Sequence, residues 1–299
     1  MIVLKQVLIL VLSAAVGYFL CKAGKLDSQH ARLLSALQVY VFLPCTMYNT
    51  YSTHFTPAYI REKYVLLLTS AGLLLVVLLV SFPLSRLLSD KPYIRSVYQY
   101  SLTVSNYGGF GFPFIEGVYG SLMLQNAMLF SLPVSLYTYT VGYARLTKTP
   151  FSLKRLPNPV MTAILLGAIV GLTGLQLPDF LTGAVGKFAA CMAPVGMLTV
   201  GMVISEFDIP SLFKNKKNYL IVALRLIIIP FGAAGLLKLL KLEESIIPAL
   251  MLYAMPCGMN TVIFPRLVGE DCETGASLTL ISSLFACLSI PLCFAVFAG

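Results

Sequence analysis

Long apolar runs, separated by short polar and basic gaps, follow one another along all 299 residues of the chain. A helix crossing the hydrocarbon of a bilayer needs roughly 20 mainly apolar residues. By that measure the pattern predicts ten membrane helices, over residues 4–22, 33–51, 63–88, 95–112, 121–145, 158–175, 180–204, 218–238, 246–263 and 275–298. The first run has a single Lys5 before it and no small-x-small cleavage site, so it reads as a membrane helix and not as a signal peptide. The gaps are too short to hold an appended soluble domain. Helices four and nine stand apart because glycine and proline interrupt them.

The chain divides at the basic, proline-containing stretch 146–159, with five predicted spans on each side. Five is odd, so the second half enters the membrane with the opposite orientation, the inverted-repeat arrangement of many secondary transporters. The expected fold is therefore all-α and integral to the membrane. It has ten transmembrane helices in two inverted five-helix repeats, with broken, crossing helices four and nine. The first repeat occupies 1–147, a cytoplasmic linker 148–157 and the second repeat 158–299. The halves also match in punctuation: SLTVSNYGGFGFPFIEGVYG at 101–120 answers ALMLYAMPCGMNTVIFPRLVGE at 249–270, and Pro83 is echoed by Pro230.

Composition agrees with a bilayer environment. Hydrophobic residues make up 58% of the chain and charged residues 11%, against about 25% charged in soluble domains. Mean hydropathy is +0.86. The net charge of +9 sits in the short gaps, which points to anionic lipid and membrane topology and away from nucleic acid. Fourteen of the 21 Lys and Arg fall in the gaps after odd-numbered helices, among them Lys22, Arg86, Arg145 and Lys214, and six on the other side. The positive-inside rule then makes the first set cytoplasmic and puts both termini outside a plasma membrane. Seven cysteines form no CxxC pair and there are two histidines, so neither a metal centre nor another cofactor is expected.

The interrupted helices carry the candidate chemistry. Proline inside a membrane helix frees a carbonyl, and such groups need a partner in hydrocarbon. Two breaks at matching positions point to a binding site where they cross. Its candidates are Asn106, Tyr107, Gly108, Gly109 and Pro113 from the first break, and Pro256, Asn260, Thr261 and Pro265 from the second. Each Asn amide offers donors and an acceptor, or caps a half-helix. Half-helix N-termini present unpaired N–H groups that suit a carboxylate. Arg225, within span eight, is either a buried functional cation or an interfacial snorkel. Glu116 and Glu206, near span ends, are candidates for proton coupling or plain interface carboxylates. Gly196, Gly201 and Ala193 permit close helix packing, and a homodimer through helices two and seven is expected.

Four segments, YVFLPCTMYNTY (40–51), SNYGGFGFP (105–113) with YG at 119–120, APVGMLTVGMVIS (193–205) and MPCGMNTVIFPRLVG (255–269), occur in this order along the chain. In these the whole chain resembles the auxin efflux carrier family, which is related in fold to the bile acid:sodium symporters. The resemblance implies a scaffold of helices one, two, six and seven, often dimeric. Helices three to five and eight to ten would form a transport domain, with substrate beside the crossover and an elevator-like movement. Plant members carry auxin, and bacterial relatives are known as permeases for malate, malonate or related acids. Only about a dozen residues separate the halves here, which argues for a bacterial-type member and against auxin as the ligand. The function expected is a secondary transporter of small organic anions such as mono- or dicarboxylates. A sensor or receptor on a transporter fold and a sodium-coupled symporter are the alternatives. No P-loop supplies ATP hydrolysis, and no cluster of catalytic side chains marks a membrane enzyme.

Overall fold

Where the backbone stays helical decides which apolar runs become membrane-crossing rods. In the computed structural model, which describes residues 2–149 and 159–297, the chain is helical in nearly every segment. The helices are α1 (Ile2–Lys22), α2 (Ser28–Leu37), α3 (Leu43–His54), α4 (Pro57–Leu88), α5 (Pro92–Thr103), α6 (Phe112–Tyr137), α7 (Tyr143–Leu146) and α8 (Pro159–Thr173). They continue as α9 (Asp179–Ala190), α10 (Met192–Ile204), α11 (Ile209–Leu212), α12 (Lys216–Ala223), α13 (Ile229–Leu239), α14 (Ile246–Tyr253), α15 (Asn260–Val268) and α16 (Glu273–Phe297). The expected linker 148–157 falls largely at residues outside those described.

The ten-helix expectation, with its two inverted five-helix repeats, needs correction. Among the described residues, four helices are long and apolar enough to cross a membrane: Pro57–Leu88, Asp179–Ile204, Lys216–Leu239 and Glu273–Phe297. Hydropathy counts residues and is blind to backbone continuity, and the other runs are short or cut. A π-turn at Gln38–Phe42 separates α2 from α3 inside 33–51. Gly120, at φ 80°, kinks α6 just before 121–145, and a second π-turn at Thr138–Gly142 ends it. Region 158–175 yields a helix of 15 residues, and the first run contributes the short apolar stretch Val11–Lys22. Regions 95–112 and 246–263 are each divided by non-helical backbone.

The four long helices make this a multi-pass membrane protein. Their outward faces carry Leu68, Leu79 and Leu288 at 65%, 66% and 75% exposure, a surface that suits acyl chains and would be costly in water. Inside, two seams hold helices at backbone distance. A Cβ on Gly201 of α10 would lie 1.8 Å from the Ala14 carbonyl oxygen of α1, and one on Gly17 would lie 2.2 Å from that of Leu198. On Gly167 of α8 it would meet the Tyr48 carbonyl of α3 at 2.7 Å. In a membrane, where apolar burial no longer drives helix association, such close van der Waals contact does.

Candidate binding site

Two non-helical stretches meet in the middle of the protein. Helix α5 stops at Thr103 because Val104 turns to extended backbone (φ −114°, ψ 128°). Ser105 then pairs with Cys257 as an antiparallel bridge. The Asn106 N–H donates to the Pro256 carbonyl at 2.8 Å, the Ser105 hydroxyl to the Leu252 carbonyl at 2.7 Å, and the Cys257 N–H to Ser282 Oγ at 2.9 Å. Each break thus supplies partners for backbone groups freed by the other, which hydrocarbon requires. Gly258 permits the approach, since a Cβ there would lie 3.2 Å from the Ser105 carbonyl oxygen.

Helical structure restarts on both sides of this bridge. Asn106 caps the π-turn Tyr107–Gly111, its Oδ1 accepting the Gly109 N–H at 3.3 Å, and α6 follows directly. On the other chain segment, α15 starts at Asn260. Two helix N-termini therefore open at one place; the Thr261, Val262 and Ile263 N–H groups donate to the Gly258 and Met259 carbonyls just upstream, and those of Phe110 and Gly111 to the Asn106 carbonyl.

Beside them lies a cavity of about 230 Å³. Asn106, Tyr107, Gly108, Gly109, Pro113, Gly258 and Asn260 form one wall, and Leu43, Met47, Ala189, Met192 and Ala193 of α3, α9 and α10 form the other. The first wall is polar and rich in backbone; the second is apolar apart from Thr46, whose hydroxyl donates to the Phe42 carbonyl at 2.8 Å. Among the described residues lining it there is no Asp, Glu, Lys, Arg or His. The Asn260 amide also donates to the Tyr100 hydroxyl at 3.0 Å. The Tyr107 hydroxyl shares a hydrogen bond of 2.8 Å with Ser135 Oγ on α6, so its ring faces the cavity while its hydroxyl is engaged elsewhere.

Six of the ten expected binding residues come together here, and four do not. Pro256 contributes its carbonyl to the bridge, the Thr261 hydroxyl donates to the Gly258 carbonyl at 2.9 Å, and Pro265 is buried inside α15. Arg225 lies behind the bridge, fully buried. Its Nη1 donates to the Leu102 carbonyl at 2.9 Å, its Nη2 to that of Leu252 at 2.8 Å and its Nε to that of Met255 at 3.4 Å. Neither coupling candidate lines the cavity: Glu116 is exposed on α6, and Glu206 accepts from Arg266 Nη1 at 3.0 Å. The apolar wall was not anticipated. Met47, Met192 and Ala193 lie in segments whose small residues and prolines read as scaffold, and nothing in their local pattern shows which cavity they would face.

Comparison with known proteins adds an independent line. Residues 2–151 and 144–294 match the model of a family described as membrane transport protein. An uncharacterized transporter of the archaeon Methanocaldococcus jannaschii is similar at 26% identity over 312 aligned positions, covering 98% of each chain.

Proposed function

Since the chain belongs to the membrane transport protein family, that of the auxin efflux carriers, we propose that it carries small organic anions through the cavity between its two backbone breaks. The observation that supports this most is the pair of helix N-termini opening on one cavity beside two Asn amides. The partial positive charge of the two helix N-termini, with the Asn amides beside it, favours a carboxylate. Among the described residues no cationic side chain lines the cavity, and its far wall is apolar apart from Thr46, which favours a monocarboxylate with an apolar body over a dicarboxylate. Transport, not catalysis, is the activity of this family.

Alternating access by an elevator-like movement fits the same geometry. The seams α1–α10 and α3–α8 make a stiff frame, and the frame supplies only the apolar wall of the cavity. The polar wall belongs to the breaks and rides with them. Purified protein in proteoliposomes should show saturable uptake and counterflow of labelled monocarboxylates, outcompeting dicarboxylates of similar size. Asn106→Ala and Asn260→Ala should each weaken uptake about 10- to 100-fold, the worth of one hydrogen bond to a charged group. Undiminished flux in both folded variants would remove the site, and absence of flux from folded wild type across the acid panel would remove the substrate class.

A further inference from the structure

Arg225 is a buried cation without a carboxylate. Its side chain is 0% exposed, and among the described residues no acidic side chain forms an ion pair with it. A guanidinium in this setting needs its charge compensated and its donors satisfied. Both are supplied by backbone. Leu102 is the penultimate residue of α5 and Leu252 that of α14, while Met255 follows two residues after α14 ends. Carbonyls in a last helical turn have no N–H further along to accept from. Each helix C-terminus also carries the equivalent of about half a negative charge. Two such ends converging on one residue sum to about one charge, matching a single guanidinium. The Tyr253 ring, 5.7 Å from the guanidinium carbon, adds its face.

Converging carbonyls at broken helix ends are also the chemistry that holds an alkali cation in membrane carriers. We propose that Arg225 is a resident cation filling a carbonyl-lined cation site, so that the two half-helix ends are held together without a bound sodium ion. It is a positioning residue: it touches none of the cavity and acts by fixing Leu102 and Leu252, hence Ser105, whose hydroxyl also bonds the Leu252 carbonyl. The consequence for sodium in transport rests on the carrier reading above; the cation site itself does not.

The site is therefore tested by thermal unfolding of the purified protein in detergent, which needs no substrate. Wild type should have the same Tm in NaCl and in choline chloride of equal ionic strength. Arg225→Ala should melt lower in choline chloride and recover, saturably, with millimolar guanidinium, or with NaCl where choline gives nothing. Arg225→Lys, which keeps the charge but reaches fewer carbonyls, should lie between the two. A sodium-specific, saturable rise in the Tm of wild type would overturn the proposal. So would Arg225→Met matching the wild-type Tm in every salt. Should Arg225→Ala not fold, the wild-type salt comparison and the Lys and Met variants still decide. Flux in proteoliposomes independent of sodium would then extend the result to transport, whereas cation rescue of Tm with no flux would keep the site and remove the carrier reading.

Discussion

Single atoms decide much of what the site can do. Asn106 spends its Oδ1 on the Gly109 N–H, so Asn106→Ala removes a cap worth about 1 kcal/mol as well as a ligand group. Asn260 instead holds the Tyr100 hydroxyl, and Tyr100→Phe should leave the Asn260 amide in place and change KM less than Asn260→Ala does. Gly109→Ala is the sharper case. Its Cβ would lie 2.8 Å from Asn106 Oδ1 and 3.0 Å from Met259 Cε; the methionine end moves easily, but the cap does not. Uptake kinetics beside a Tm should therefore show Gly109→Ala losing substrate affinity together with some stability. Outside the membrane-spanning helices, burial pushes the Cys272 thiol up to about 12. At pH 8 it stays protonated, and only the thiolate is nucleophilic. Maleimide should leave Cys272 unmodified in the folded protein and label it after unfolding in detergent, as read by mass spectrometry.

Between helices, the same residue type has opposite meanings at different places. Gly201→Leu drives a side chain into the Ala14 carbonyl and should cost at least the 1–3 kcal/mol or so of an overpacked core. Gly183, in α9, has nothing within 4 Å of its added Cβ, so Gly183→Ala should raise stability by about 0.5–1 kcal/mol. Thermal melts of the two variants side by side test this contrast. The sequence marked Gly201 for close packing through its small neighbours, yet could not say against what, because Ala14 lies far away along the chain. The interruptions around Asn106 and Asn260 were readable too, because glycine, asparagine and proline have direct backbone consequences. The π-turns were not. Gln38–Phe42 contains no residue that local chemistry forbids to an α-helix, so the unbroken run 33–51 hid the break between α2 and α3. Nor did the sequence separate cavity from buttress at Arg225: span position alone cannot tell which side of a bridge a long side chain takes.

On the scale of the whole molecule, the segment after α15 gathers contacts from widely separated parts of the chain. Arg266 pairs with Glu206 and Lys148 with Glu270. Arg32 Nε donates to the Leu267 carbonyl at 3.2 Å, and the Tyr93 hydroxyl to the Asp271 carbonyl at 2.9 Å. These residues come from segments far apart in sequence that meet at one end of the protein. Exposed pairs of this kind add little stability each, but they report which ends lie together. Single cysteines placed at Lys25 and Lys214 should therefore react with an impermeant maleimide from one and the same side of the membrane, and reaction of the two from opposite sides would separate these ends. The glycine seams have a consequence in time. Helix α1 must find α10, and about 170 residues separate the end of one from the start of the other. At about 5–20 residues per second of synthesis, the glycine face of α1 waits on the order of ten to thirty seconds for its mate. Biogenesis is thus paced by the ribosome: the early helices are inserted, but they stay unfinished and open to quality-control proteases until the distal half of the message has been read.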